Sequence, residues 1–107
     1  MQYFKRLVLQ LSFSLEAVFS QQLLPRADGR GRVMACEIMT CTPGVRALIR
    51  DAKTHQVYSH IQTGGRLGMR TMAQSLADQV RSGLVNVVDA EMSLSDPSEL
   101  RNLIKAA

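Results

Sequence analysis

At 107 residues, the chain has the length of a single domain. Its hydrophobic content of 46% and charged content of 21% are typical of a soluble globular protein. The net charge of +4 allows contact with an acidic partner or a membrane surface, but no basic residues are interleaved with the five aromatic ones, so we expect no nucleic-acid binding.

The first 19 residues predict an amphipathic helix. Lys5 and Arg6 precede an apolar run, as in a signal peptide, but polar residues interrupt the run and no cleavage site follows it. The segment is too short and too polar to span a bilayer. So wide an apolar face needs a surface to pack against. Its apolar residues at helical spacing are Phe4, Leu7, Val8, Leu11, Leu15, Val18 and Phe19.

Residues 21–39 predict a β-hairpin. The turn lies between Pro25 and Gly31, with Asp28-Gly29 as its strongest signal, and the returning run to Met39 is almost continuously apolar. Within that run we expect Glu37 to be hydrogen-bonded or at an edge rather than catalytic. A lone hairpin is marginally stable in water, so we expect these strands to belong to a larger sheet, most of it outside this chain.

The two cysteines predict free thiols. Cys36 and Cys41 are five residues apart, and on a strand they would lie about 16 Å apart on opposite faces, beyond disulfide reach. Without CxxC spacing or a nearby histidine they also form a poor zinc site. We expect buried or half-buried thiols in a reducing compartment.

Residues 42–64 predict two short helices. Thr42 can cap the first, and Pro43 suits its first position. Thr54 resembles a second cap, and Gly64 ends the second helix. The first helix has an apolar face of Val45, Leu48, Ile49 and Ala52 and a basic stripe of Arg46, Arg50 and Lys53.

Three more helices are predicted after a glycine-rich turn at residues 64–68. Thr71 and Gln74 form a capping box, Asn86 begins a shorter helix, and Asp96-Pro97 begins the last. The predicted fold class is therefore α+β and mostly α: an N-terminal helix and a β-hairpin, followed by a bundle of about five short helices.

These blocks, read in one register, resemble the C-terminal part of the type IV pilus retraction (twitching motility) ATPases, the PilT family of secretion-type hexameric motors. The resemblance covers roughly residues 10–105. The segments that carry it are SLEAVFSQQLLPRADGRGRV (14–33), ACEIM (35–39), TPGVRALIRDAKTHQVYSHIQTG (42–64), GMRTMAQSLADQVRSGLV (68–85) and SDPSELRNLI (95–104).

The resemblance implies that residues 44–51 match the family's AIRNLIRE-type helix, which serves retraction rather than hydrolysis. Ala47 and Ala73 depart from the family pattern by removing a polar group each. We expect six residues to face a neighbouring subunit or the pilus machinery: Val45, Arg46, Leu48, Ile49, Arg50 and Arg26. A solvated basic stripe and a solvated turn remain the alternatives.

The resemblance also implies a division of the chain. Residues 1–41 correspond to the end of a RecA-like ATPase core, and residues 42–107 to a helical C-terminal domain. ATP and Mg²⁺ belong to the intact family, whereas this sequence has no GxxxxGK[ST] loop, so we expect no catalytic, cofactor-binding or metal-binding residues in it. The implied partners are a hexamer or intact motor subunits and the machinery at the pilus base. The implied location is the cytoplasm, at the inner face of the cytoplasmic membrane.

Two other functions are considered. The chain could be a stand-alone, non-enzymatic module that binds a pilus or secretion motor, with its apolar N-terminal helix covered by a partner. Catalysis by Cys36 or Cys41 with His55 or His60 is disfavoured, because the cysteines and histidines fall in separate elements without an orienting acid.

Overall fold

The fold was obtained as a computed structural model, which describes residues 2–105. One helix precedes a β-hairpin and five helices follow it, so the predicted fold class is confirmed. Short 3₁₀ turns lie at Thr54–Gln56 and Gly65–Leu67. The elements are α1 (Gln2–Ser14), β1 (Ala17–Pro25), β2 (Arg32–Thr40), α2 (Pro43–Arg50), α3 (Val57–Thr63), α4 (Met72–Arg81), α5 (Val87–Met92) and α6 (Ser98–Lys105).

The described residues form two compact units, and each unit combines two separate stretches of the chain. The first unit contains residues 2–19 and 38–70, and the second contains residues 20–37 and 71–105. The hairpin thus contributes its base to the first unit and its tip to the second. The division at residue 41 that the family resemblance implies is a different one and stays a prediction.

Helix α1 is shorter than the sequence predicted. It ends at Ser14, and β1 begins at Ala17, so Val18 and Phe19 belong to a strand. The Cys41 N–H donates to the Glu16 carbonyl at 2.9 Å, and this bond continues the hairpin pairing down to the end of α1. Because β-branched and aromatic side chains fit a paired strand well, pairing overrides the helical spacing there.

The hairpin is confirmed. Its turn is closed by the Arg26 N–H donating to the Gly31 carbonyl at 3.0 Å, and Gly29 takes a positive φ of 75°. Such an angle favours glycine, so Asp28-Gly29 was a sound turn signal. Among residues 2–105 the sheet has two strands. The larger sheet therefore stays a prediction.

The first unit has a small core centred on α2. Thr42 caps this helix as predicted, because its Oγ1 accepts the Val45 N–H at 3.2 Å. The predicted helical face is wrong at Ala52, which lies beyond the end of α2 with a φ of 57° and is exposed. Thr54 begins a 3₁₀ turn instead of capping α3. The buried core residues are Cys41, Val45, Ile49, Ile61 and Met69.

The second unit has the larger core, built around α4. Thr71 and Gln74 form the predicted capping box at its start, and Gly83 follows its end. Helix α6 packs Leu100 into this core. The buried core residues are Leu24, Ala35, Met72, Ala73, Leu76, Ala77, Val85, Ala90 and Leu100.

Both cysteines are free thiols, Cys36 half-buried and Cys41 buried, as predicted, while the reducing compartment stays a prediction. No helix in the described part of the chain is long and apolar enough to cross a membrane.

Candidate functional site

Helix α2 carries five of the six residues predicted at an interface, and these five differ in burial. Val45 and Ile49 are 0% and 7% exposed and belong to the core of the first unit. Leu48 and Arg46 are half-buried, and Arg50 is exposed. A partner that approaches this helix would therefore meet Arg50 first, while Val45 and Ile49 support the helix from beneath.

Arg46 binds the C-terminal end of α1. Its Nη1 donates to the carbonyls of Ser12 at 3.0 Å and Phe13 at 3.1 Å. The last carbonyls of a helix lack helical partners and carry partial negative charge, so a guanidinium satisfies and stabilises them. Its Nη2 also lies 3.5 Å from Glu16 Oε2, but the Glu16 side chain is 85% exposed and this ion pair contributes little. Arg46 is thus a connector between α1 and α2.

Arg50 remains largely in solvent. Its Nε lies 3.6 Å from Oδ1 of the adjacent Asp51, and about half of each side chain is exposed. Exposed ion pairs of this kind are weak, so Arg50 can exchange this partner for another one. Of the two arginines on α2, it is the more exposed.

Arg26 stabilises the hairpin turn of the second unit. Its Nε and Nη2 lie 3.3 Å from the two carboxylate oxygens of Asp28. Asp28 also accepts the Arg30 N–H at 2.8 Å. The Arg30 hydrogen bond, followed by that of Arg26, lowers the pKa of the Asp28 carboxyl. Because Arg26 belongs to the second unit and α2 to the first, they are two separate candidate sites.

Glu37 is hydrogen-bonded, as predicted. Its Oε1 accepts the Met72 N–H at 3.1 Å, at the first residue of α4. Nearby, Thr71 Oγ1 donates to Glu99 Oε2 at 2.9 Å. The sequence did not reveal that Glu99 belongs here, because its helix lies 28 residues further along the chain. These two acids lie at the N-terminus of α4, where negative charge stabilises a helix.

The cysteines and histidines differ in burial. Burial raises the pKa of the Cys41 thiol, with Arg46 acting in the opposite direction. A raised pKa reduces the reactive thiolate fraction. His55 and His60 are exposed. Among residues 2–105 there is no group of three or more histidine, cysteine or acidic side chains that could hold a metal ion.

The sequence is similar to those of pilus proteins. It is 47% identical to the type IV pilus retraction ATPase PilT of Pseudomonas aeruginosa over 87 residues, which are 81% of this chain and 25% of that protein. It is 53% identical to a twitching motility protein of Neisseria gonorrhoeae over 75 residues, 70% of this chain and 20% of that protein. The type IV pilus ATPase PilU of P. aeruginosa is 32% identical over 97 residues, 91% of this chain and 25% of that protein. No protein-family profile matches the chain.

The fold is similar to those of two solved structures. The crystal structure of the pilus retraction motor PilT with bound ADP superposes with a TM-score of 0.78 and 38% identity, covering 92% of this chain and 26% of that one. The Legionella pneumophila ATPase DotB gives a TM-score of 0.63 at 17% identity, over 82% of this chain and 24% of that one, and this match shows the fold alone.

Fold and sequence together define a portion of a secretion-type ATPase. The chain belongs to the PilT family and matches the C-terminal region of its members. It spans about a quarter of the length of the relatives it matches.

Proposed function

We propose that the chain acts as the C-terminal portion of a hexameric pilus retraction ATPase, which powers type IV pilus disassembly and twitching motility. The observation that carries this proposal is the superposition on the PilT motor over 92% of the chain at 38% identity. Residues 1–41 would supply the end of a RecA-like core, and residues 42–107 the helical C-terminal domain.

We further propose that the chain does not hydrolyse ATP alone. The intact family would hold ATP and Mg²⁺ through a phosphate-binding loop whose backbone amides and lysine cradle the phosphates. The sequence lacks the GxxxxGK[ST] pattern of that loop. Nucleotide chemistry would therefore belong to the motor subunits with which this chain assembles.

In this proposal the exposed side of α2 contacts a neighbouring motor subunit or the pilus base. Arg50 would make that contact, with Leu48 beside it, while Arg46, Val45 and Ile49 hold the helix in place. Arg26 would act separately at the hairpin turn. The chain would work in the cytoplasm, at the inner face of the cytoplasmic membrane.

Co-assembly tests the proposal. The full chain is mixed with intact P. aeruginosa PilT in lipid-free buffer, and native mass spectrometry records mixed assemblies while phosphate release records ATP hydrolysis. We expect mixed hexamers and no hydrolysis by the chain alone. Arg50→Glu should weaken co-assembly, whereas Arg32→Glu, an equal charge change on an exposed strand residue of the second unit, should not. Two species that stay separate at every concentration would contradict the proposal.

A second candidate is a stand-alone module that binds a pilus or secretion motor without joining its ring. The observation that favours it is that each unit has its own hydrophobic core within the described residues, so the chain can bury apolar surface without other subunits. The same experiment distinguishes the two candidates: a module would add to a complete PilT hexamer, whereas a motor portion would replace a subunit.

A further inference from the structure

The outer edge of β2 is covered by α4 within the second unit. Ser75 Oγ accepts the Cys36 N–H at 3.2 Å. One helical turn further on, Gln79 Nε2 donates to the Met34 carbonyl at 2.7 Å. In an antiparallel hairpin, every second residue of a strand points its backbone groups away from the partner strand, and these two residues of β2 do so. The two α4 side chains take the place of a third strand, so this part of β2 is closed to another one.

The first unit closes the next stretch of the same edge. The Ile38 N–H donates to the Arg70 carbonyl at 2.8 Å, and the Arg70 N–H donates to the Ile38 carbonyl at 2.9 Å. This antiparallel bridge occupies both backbone groups with which Ile38 would bind a further strand. The outer edge of β2 is thus occupied at Met34, Cys36 and Ile38 by other parts of the chain.

The outer edge of β1 has no such cover in the second unit. The Arg26 N–H donates to the Gly31 carbonyl, so by the alternation of an antiparallel pair the even-numbered residues of β1 bond to β2. The N–H and C=O groups of Gln21 and Leu23 therefore point away from β2. Among residues 2–105 no other strand pairs with β1, and these four backbone groups have no hydrogen-bond partner.

The sequence of β1 is that of a strand inside a sheet. Natural edge strands are kept from pairing by charged side chains, by bulges or by a covering helix or loop. None of the nine residues of β1, AVFSQQLLP, is charged, and the proline stands at the last position. A hairpin of two strands is also marginally stable without further strands or packing. We therefore expect another strand to lie beside β1.

The comparison with the PilT motor indicates where that strand comes from. The motor superposes on 92% of this chain, but the matched region is only 26% of the motor, so most of the motor subunit lies outside the match. Residues 1–41 are proposed above as the end of a RecA-like core. Because an α/β core is built on a sheet of several strands, the remainder of such a core can supply a partner for β1.

We propose that the outer edge of β1, at Gln21 and Leu23, pairs with an extended strand from the remaining part of a PilT-family motor subunit. Main-chain hydrogen bonds between the two strands supply the affinity. The hairpin enters the larger sheet through β1, and β2 is the last strand of that sheet. This inference rests on the proposed function, because it takes a motor subunit as the partner.

Capture by a shortened motor subunit tests the inference. P. aeruginosa PilT is produced without the region that matches this chain, and the full chain is co-expressed with this truncated PilT. We expect the two to purify as a complex. Gln21→Pro removes an outward N–H and sets its ring against the incoming strand, so it should bind at least about tenfold more weakly. Met34→Pro makes the same change on the covered edge of β2 and should bind within about twofold of the unchanged chain.

Hydrogen exchange gives a second readout that needs no variant. In the free chain the amides of Gln21 and Leu23 should exchange quickly, because they face away from β2, whereas the Gln22 amide bonds to β2 and should exchange slowly. In the complex all three amides should exchange slowly. Mass spectrometry with fragmentation of the labelled chain resolves the three positions, so the inference stays testable even if a proline variant fails to fold.

Two results would overturn the inference: failure of truncated PilT to bind the full chain, and a complex in which the Gln21 and Leu23 amides still exchange quickly. A self-association of the free chain that Gln21→Pro abolishes, without binding to truncated PilT, would assign the edge to a second copy. Mixed hexamers with intact PilT are recorded separately. Their presence with unprotected amides contradicts only the strand pairing, and their absence with protected amides contradicts only the mixed hexamer.

Discussion

Arg46 offers the sharpest prediction for a single residue. Replacing it with methionine keeps much of the side chain's length but leaves the Ser12 and Phe13 carbonyls at the end of α1 without their donor. We expect the free energy of unfolding, measured by urea titration, to fall by about 1 to 2 kcal/mol. Arg50→Met should change it by less than about 0.5 kcal/mol, because its exposed pair with Asp51 contributes little. Equal losses for the two variants would contradict the assigned contact.

The two thiols should differ in reactivity. Burial raises the pKa of Cys41, so at pH 8 a smaller fraction of it is thiolate than in an exposed cysteine, and its sulfur is also less accessible. We expect iodoacetamide to modify half-buried Cys36 faster than Cys41 in the native chain, as followed by peptide mass spectrometry. In urea the two rates should converge. Faster modification of Cys41 in the native state would rule out the burial described here.

The sequence could predict the helix face or the hydrogen bonding of many of these residues, but not their partners. The helical spacing placed Arg46 on a basic stripe, yet its partners lie more than 30 residues earlier, on a different helix. Likewise, the expectation that Glu37 is hydrogen-bonded is confirmed, but its donor on Met72 is 35 residues away. Spacing within a helix determines which face a residue occupies, and only the tertiary fold determines what that face meets.

At the scale of an element, the start of α4 depends on Thr71. Its buried hydroxyl accepts the Gln74 N–H at 3.1 Å and donates to Glu99. We expect Thr71→Ala to lower the free energy of unfolding by about 1 to 2 kcal/mol, since a cap is lost and Glu99 loses a donor. Thermal or urea unfolding measures the loss.

The control for that variant is Asn86→Ala. Asn86 occupies the corresponding position before α5, but its side chain makes no capping hydrogen bond. Its replacement should therefore cost less than half as much as that of Thr71. If the two substitutions cost the same, the loss at Thr71 would reflect helix propensity rather than the hydrogen bonds of its hydroxyl.

The starts of α2 and α4 were predictable from the sequence, whereas the end of α1 was not. Thr42 and Thr71 were recognised because a cap needs only a hydroxyl at a fixed distance from the next N–H groups. The end of α1 was missed because Leu15, Val18 and Phe19 continue its apolar spacing, and the pairing of Val18 and Phe19 in β1 depends on a strand that lies some 20 residues later. The residues that form a helix cap lie within one helical turn of each other, whereas strand pairing depends on a segment far along the chain.

At the scale of the whole molecule, stability rests on two small cores. Leu76 is fully buried at the centre of the larger one. Leu76→Ala should lower the free energy of unfolding by about 2 to 5 kcal/mol, through lost burial and the cavity left behind. For a chain whose total stability is about 5 to 15 kcal/mol, this is a large share. Val88→Ala, on the exposed side of α5, should stay within about 0.5 kcal/mol in the same titration. Similar losses at both sites would contradict the placement of Leu76.

The path of the chain through its two units decides how the protein can be dissected. The chain leaves the first unit after Phe19, returns at Ile38 and leaves again after Arg70, so no single cut separates the two cores. The hairpin register that joins Glu16 to Cys41 and Arg26 to Gly31 sets Phe19 opposite Ile38. An internal excision of residues 20–37, closed by a new two-residue turn, therefore retains the first unit. Excision of residues 38–70 retains the second, because Glu37 already reaches the backbone of Met72. Isolating either unit therefore requires removing both an interior segment and one end of the chain: residues 20–37 and 71–107 to leave the first unit, residues 38–70 and 1–19 to leave the second.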